Sequence, residues 1–333
     1  QLSFSRTEVE SLKEQKEALT APSPEPARII GESAAMQAIF QTIRKFADTD
    51  ANLLLLGENG TGKDLIARYV YEQSPRKGEI YVPIDLGSIP EQLFESELFG
   101  YEKGAFTDAR RSKSGRMEMA SGGTLFLDEI SEMDVGLQAK LLRALQERRI
   151  RPVGGVEEVE TDVRIIAACN ADLPRYVEEG KFRTDLFYRL NTFPIHIPPL
   201  RERREDIPPL CRSLLDELSR KLKRRLELTP EAMDRLLAHN WPGNVRELRN
   251  VLEFCAYLTP SGVITELSLP ENLRTGPTAQ PSLTLAQRTR AFERAEILRL
   301  LERNGASLEG KKKTAAQLGI SLASLYNKLN MQF

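Results

Sequence analysis

The run Gly57-Glu58-Asn59-Gly60-Thr61-Gly62-Lys63 joins three glycines to a lysine, directly after the apolar run 52–56 and directly before a helical pattern. Glycines let backbone N–H groups curl round anionic oxygens, and a helix N-terminus adds a favourable dipole. This is the chemistry of a phosphate cradle, with Lys63 placed to reach the β- and γ-phosphates of a nucleoside triphosphate such as ATP. The general pattern puts Ser or Thr after the lysine to hold magnesium. Here Asp64 stands there, an acid able to help hold Mg2+ through water. A plain glycine turn between strand and helix is the alternative reading. The register of strand, lysine and helix argues against it.

A second run, Gly123-Thr-Leu-Phe-Leu-Asp128-Glu129, places four strand-forming residues ahead of two acids. Asp128 suits a magnesium ion held through its water shell, and Glu129 suits polarising the water that attacks phosphorus. Alone, this run reads equally well as a strand ending in a solvated acidic turn. Behind a phosphate loop it reads as the hydrolytic pair.

Something must carry both runs to one place. Short apolar stretches at 52–56, 80–84, 124–127 and 163–168 are the strand candidates, and helical patterns separate them. That alternation predicts an α/β fold, a parallel sheet with helices on both faces. Ahead of it, Met36, Ile39, Phe40, Ile43 and Ala47 form a helical stripe. The pattern from 204 through 258 is wholly helical. The stretch 269–287, rich in Pro, Thr and Ser, reads as a linker, and a short helical module follows. At the other end, Leu2, Val9, Leu12 and Leu19 keep heptad spacing, as either a weak coiled coil or a frayed solvated helix, before the Pro-rich 21–26.

Composition narrows the partners and the compartment. The 333 residues suit two or three domains, with 41% apolar and 29% charged residues. A formal net charge of −1 confines any nucleic-acid surface to a local patch. Cys169, Cys211 and Cys255 are far apart and form no C-x-x-C pair, so neither a disulfide frame nor a zinc site is indicated. His196 and His239 are the only histidines, which argues against histidine chemistry. No apolar run approaches the roughly 20 residues of a membrane span. No membrane partner is expected, and the reducing bacterial cytoplasm fits best. The chain begins at Gln1 rather than Met, as expected of a piece of a longer protein.

Further runs complete a pattern. Glu97-Leu-Phe-Gly-Tyr-Glu-Lys-Gly104-Ala105-Phe106-Thr107-Asp108-Ala109, Pro198-Pro-Leu-Arg-Glu-Arg203-Arg-Glu-Asp-Ile207 and Trp241-Pro-Gly-Asn-Val-Arg246-Glu-Leu248 join the two above, in the same order as in a known family. From about residue 30 to 258 the chain resembles the bacterial sigma-54-dependent transcription activators, the NtrC-like enhancer-binding proteins. The resemblance implies an AAA+ P-loop ATPase: an α/β subdomain over 28–203 and an all-α lid over 204–272. It implies a ring, hexamer or heptamer, that is a dimer when inactive and remodels sigma-54 RNA polymerase at promoters. A receiver or other sensory domain of a two-component system often precedes such a linker as 1–27.

The resemblance also assigns residues. Arg183 and Arg189 match arginine fingers, donated to a neighbouring subunit's γ-phosphate. Asn170 matches the first sensor, although Cys169 stands where Thr is frequent. Arg246 matches the second sensor, on the lid, and Ile30, Gly31 and Ile207 frame the adenine. Asp85 takes the place of an asparagine that restrains the catalytic glutamate, and an acid there would repel Glu129. Gly104 to Ala109 match the loop that engages sigma-54, with Phe106 and Thr107 kept and Asp108 in place of the usual glycine. Aspartate disfavours backbone shapes open to glycine and adds charge at the tip.

Beyond a linker at 273–290, residues 291–333 resemble a Fis-type helix-turn-helix. Ala315, Leu318, Ile320 and Leu325 flank Gly319 as that motif needs. Ser321, Ser324, Tyr326, Asn327 and Lys328 on the second helix are candidate DNA contacts, and Lys311, Lys312 and Lys313 suit backbone phosphates. A small helical cap with a solvated lysine run is the alternative.

The expected function is a DNA-binding regulator whose ATPase ring remodels sigma-54 polymerase, with upstream promoter DNA, sigma-54 polymerase and itself as partners. The alternative keeps ATPase and DNA binding but drops sigma-54 because of Asp108, acting with another polymerase form or as a repressor. A general AAA+ unfoldase is the reading from another class; the loop and the helix-turn-helix speak against it.

Overall fold

The computed structural model describes residues 29–107 and 109–274, together with 297, 300, 304, 305, 308–322 and 325. Two compact units divide the chain near residue 276.

The first unit is built on five parallel strands: β1 (Leu53–Leu56), β2 (Tyr81–Asp85), β3 (Thr124–Asp128), β4 (Arg164–Cys169) and β5 (Phe193–His196). Their spatial order is β2-β3-β4-β1-β5. Leu56 sits beside Cys169, and Asp85 beside Asp128, so the strands end together along one edge. β5 has no counterpart among the sequence-predicted strands. It is four residues long and contains Pro194, which cannot donate to a ladder. Proline is tolerated at sheet edges, and Pro83 sits in the other edge strand, β2.

Alternation along the central strands feeds two cores. Leu54, Leu125, Leu127, Ile165 and Ala167 face one side, where helix α3 (Val135–Glu147) buries Leu137, Leu141 and Leu142. Leu53, Leu55, Phe126, Ile166 and Ala168 face the other. There α1 (Ala34–Phe46) buries Met36, Phe40 and Ile43, and α2 (Lys63–Glu72) buries Ile66, Ala67 and Val70. Ser33 caps α1 by accepting from the Met36 amide. A shorter helix, α4 (Thr184–Leu190), packs beside α3 and leads to β5.

Two antiparallel hairpins leave this layer. One pairs Gly100–Tyr101 with Lys113–Ser114, and the other pairs Arg149–Ile150 with Val159–Glu160. They are tied together where the Val153 amide donates to the Gly100 carbonyl at 2.9 Å and the Glu102 amide to the Val153 carbonyl at 3.0 Å.

The lid consists of α5 (Ile207–Leu222), α6 (Pro230–Ala238) and α7 (Asn244–Leu258) around fully buried Trp241. It is not wholly helical. Glu227–Leu228 and Val263–Ile264 pair as a two-stranded parallel bridge. Strands of two residues leave no period for sequence reading to catch.

In the second unit, α8 (Leu308–Gln317) ends at Gly319, whose φ of 66° lets the Ile320 amide reach back to the Ala315 carbonyl at 3.0 Å. Ile297, Ala315 and Leu325 are its buried core, with Leu318, Ile320 and Leu322 against them. Leu322 and Leu325 are again helical.

Candidate active site

The phosphate loop leaves β1 where the Gly57 amide donates to the Cys169 carbonyl. Gly60 and Gly62 adopt φ of 77° and 96°, a region that side chains avoid. A Cβ on Gly60 would also overlap the Gly243 carbonyl. α2 begins at Lys63 with no side chain capping it, so its first-turn amides can face an anion. Lys63 is only 6% exposed. Its Nζ donates to the Gly57 carbonyl at 3.0 Å and the Glu58 carbonyl at 3.2 Å, folded over the loop. Burial holds its pKa below the ordinary lysine value, and the Asp128 charge opposes that fall. A positive ring of amides and a buried ammonium against carboxylates fit a nucleotide's phosphates.

Asp128 and Glu129 follow β3 as the sequence suggests. Burial raises the Asp128 carboxyl, and its Oδ1 accepts from the Glu129 amide at 3.0 Å. Glu129 sits at φ 54°, a left-handed backbone shape, and its carboxyl is raised by burial first and by the Asp85 charge next. The repulsion expected from Asp85 is therefore present. Its carboxylate rests against Gly87, where a Cβ would overlap Glu129 Oε2. Asp64 is exposed in the first turn of α2 and adds to the negative field at Asp128. With Asp128, it is the group able to hold a magnesium ion.

Asn170, after β4, donates from Nδ2 to Asn59 Oδ1 at 2.8 Å. Asn170 and the phosphate loop are thus in direct contact. Cys169 is buried, and burial pushes its thiol pKa up. Thr61 is turned inward, its hydroxyl donating to the Glu58 carbonyl. Ile30 packs on the lid core, Gly31 backs onto Met36, and Ile207 is fully buried. Asp206 brings those three together. Its Oδ1 accepts from the Glu32 and Ser33 amides, both at 2.7 Å, and its Oδ2 accepts from the Ser33 hydroxyl at 2.8 Å.

Glu58 does not face the cradle with its side chain. Its carboxylate takes a bidentate pair from Arg201, at 2.8 and 2.6 Å, and a donation from Asn244 Nδ2 at 3.1 Å. Arg246 is exposed at the start of α7, with its Cβ close to Gly60. Arg201, Arg203, Asp206 and Asn244 are the residues that sequence reading passed over. They stood inside the runs 198–207 and 241–248, which was the one available signal.

Arg183 is the N-cap of α4 and Arg189 lies in its last turn. Arg183 makes a bidentate pair with Asp185 at 3.0 and 2.8 Å, and Arg189 donates to the Leu145 carbonyl at 3.1 Å. Neither is bonded to the phosphate loop of its own chain. Gly104 and Ala109 meet at the tip of the first hairpin: the Gly104 amide donates to the Ala109 carbonyl and the Ala109 amide to the Phe106 carbonyl. Phe106 is 42% exposed, its ring 4.8 Å from that of Tyr101. Ala105 lies under Gly154 of the second hairpin, and Thr107 is exposed. Asp108 lies outside the described residues.

Among the candidate DNA residues, Lys312 and Lys313 are exposed on α8, Lys311 is half-buried, and Ser321 is exposed at the following turn. Ser324, Tyr326, Asn327 and Lys328 lie outside the described residues.

Residues 29–196 match the sigma-54 interaction domain family, and residues 201–285 match the AAA+ ATPase lid domain family. The chain belongs to the sigma-54 interaction domain family. This AAA+ chain is 41% identical over 314 residues to the formate hydrogenlyase transcriptional activator FhlA of Escherichia coli, covering 94% of itself and 45% of that protein. It is 51% identical over 237 residues to the Nif-specific regulatory protein of Azotobacter vinelandii, covering 71% of itself and 45% of that protein. The chain thus spans about half the length of the curated relatives it matches. Among solved structures, NtrX from Brucella abortus superposes with a TM-score of 0.73 at 34% identity, over 97% of this chain and 71% of that one. An NtrX structure in complex with ATP superposes with a TM-score of 0.71 at 34% identity, over 97% of this chain and 72% of that one. Among the described residues, no helix is long and apolar enough to cross a membrane.

Proposed function

We propose that this sigma-54 interaction domain protein is a ring-forming ATPase that spends ATP hydrolysis on remodelling sigma-54 RNA polymerase. One observation carries the reading. The subdomain that gathers Lys63, Asp128, Glu129 and Asn170 at its strand ends also projects a hairpin tipped by exposed Phe106. In that reading Lys63 and the loop amides bind the triphosphate, and Glu129 orients and polarises the attacking water. Asp128, with Asp64, would hold Mg2+, which would supply charge neutralisation when bound. Arg183 and Arg189, whose guanidinium groups make exposed contacts with their own chain, are free to be presented to a neighbouring subunit. That requirement calls for an oligomer, and the resemblance to the sigma-54-dependent activators implies a ring of six or seven subunits. The turn at Gly319 and exposed Lys312 and Lys313 support binding of upstream promoter DNA by the second unit.

The test is ATP-dependent open-complex formation on a sigma-54 promoter, with the parent chain, Lys63→Ala and Asp108→Gly. Opening by the parent and none by Lys63→Ala is the expected result. Opening by Asp108→Gly alone, with both hydrolysing ATP, would overturn the sigma-54 assignment.

A further inference from the structure

Four consecutive phosphate-loop residues are each held from the lid side. The Glu58 carboxylate is gripped by Arg201 and Asn244. The Asn59 carbonyl accepts from Asn244 Nδ2 at 3.0 Å. The Gly60 carbonyl accepts from the Val245 amide at 2.9 Å and the Arg246 amide at 3.3 Å. The Thr61 carbonyl accepts from Arg203 Nη2 at 2.9 Å. A trans peptide is planar, with its carbonyl and the next N–H pointing in opposite directions. Fixing the carbonyls of 59 and 61 toward the lid therefore turns the amides of 60 and 62 away from it, while the Thr61 amide donates back to the Glu58 carbonyl at 3.4 Å.

Asn244 is the hub. It is fully buried, at φ 53°, and its Oδ1 accepts from the Leu200 amide at 2.7 Å while Nδ2 serves Glu58 and Asn59. Arg203 is 4% exposed, and its Nε has no partner. Burying a guanidinium with one donor unmet costs stability, so a further role for it is indicated. α7 spends its first-turn amides on Gly60 rather than on a phosphate. Gly60 itself could carry no side chain here, since a Cβ would overlap the Gly243 carbonyl.

We infer that Asn244, Glu58, Arg201 and Arg203 are positioning residues forming a carbonyl-side clamp, by which the lid presets the phosphate loop and moves with it as one body. The inference rests on the nucleotide reading of the loop. It adds that the cradle is preset by Asn244, Arg201 and Arg203, which act on the loop's carbonyl side and not on the nucleotide.

Asn244→Asp tests it in the full chain. Aspartate tolerates the left-handed backbone and keeps the shape, but it sets a carboxylate against Glu58 and the Asn59 carbonyl. Adding Glu58→Gln supplies a donor to Asp at 244 and reverses the polarity of the pair. The measurements are hydrogen exchange, without nucleotide, of the Val245 and Arg246 amides that donate to the Gly60 carbonyl, binding of a fluorescent ADP analogue, and kcat and KM for ATP. Expected for Asn244→Asp are faster exchange and a KM and Kd raised at least tenfold. The double variant should recover most of both. Unchanged exchange and affinity in Asn244→Asp, or purely additive effects in the double variant, would overturn the clamp. Should Asn244→Asp fail to fold, exposed Arg201→Ala replaces it, with faster exchange supporting the clamp and unchanged exchange refuting it. A parent chain that binds no nucleotide would refute the functional reading instead, and exchange would still decide the clamp.

Discussion

Asp206 offers the sharpest test of how the lid is joined to the α/β layer. Asp206→Ala removes the acceptor for the Ser33 amide and hydroxyl, both buried, and for the Glu32 amide, which is part-buried. The Glu32 amide can find water, and the hydroxyl can turn, but the Ser33 amide has nowhere to go. An orphaned buried donor costs about 1–3 kcal/mol, and bonds to a charged acceptor are worth about 1.5–3 kcal/mol. The two figures overlap, since both describe loss of the same bonds, and the expected loss is about 2–4 kcal/mol. At about 2–4 °C per kcal/mol for a domain of this size, the first unit should melt roughly 4–16 °C lower. Asp206→Asn keeps Oδ1 for both amides and can donate to the Ser33 oxygen, so its cost should be about 1 kcal/mol. Scanning calorimetry and urea titration of the three proteins measure this. An Asp206→Ala variant within about 0.5 kcal/mol of the parent, the ordinary range of a neutral surface change, would refute the argument.

Three other outcomes follow from the geometry. Arg201 first and Asn244 second hold the Glu58 carboxyl down to about 2, from an ordinary value of 4.5. A depressed carboxyl contributes stability that is full above 4.5 and lost as pH falls through about 2, so Glu58→Gln should flatten the acid limb of stability in that window, read by urea midpoints against pH. Trp241 is fully buried and its indole N–H donates to the Leu236 carbonyl at 2.8 Å; Trp241→Ala should cost about 3–5 kcal/mol in urea unfolding. Phe106 is half in solvent, its ring tilted against that of Tyr101, so Phe106→Ala should leave ATP turnover and, within about 1 kcal/mol, stability unchanged. It should abolish capture of sigma-54, and retained capture would remove the hairpin tip from the contact.

What the sequence determined is what local chemistry and period can encode. The glycines and Lys63, the acids ending β3 and four of five parallel strands were legible because each is written in contiguous residues. The helical stripe of α1 was legible for the same reason, as Met36, Phe40 and Ile43 share one face. β5 escaped because Pro194 and a length of four residues erase the strand signal, and only the exposed edge beside β1 makes the pairing possible. The lid bridge escaped because its two strands lie on either side of α6 and α7. Glu58 is the clearest case of a role decided by tertiary structure. From sequence it is one more phosphate-loop residue, yet its partners stand 143 and 186 positions away. No local propensity encodes that pairing. It arises when the sheet and the lid bury their own apolar faces and leave one place where a carboxylate, a guanidinium and an amide can all satisfy one another.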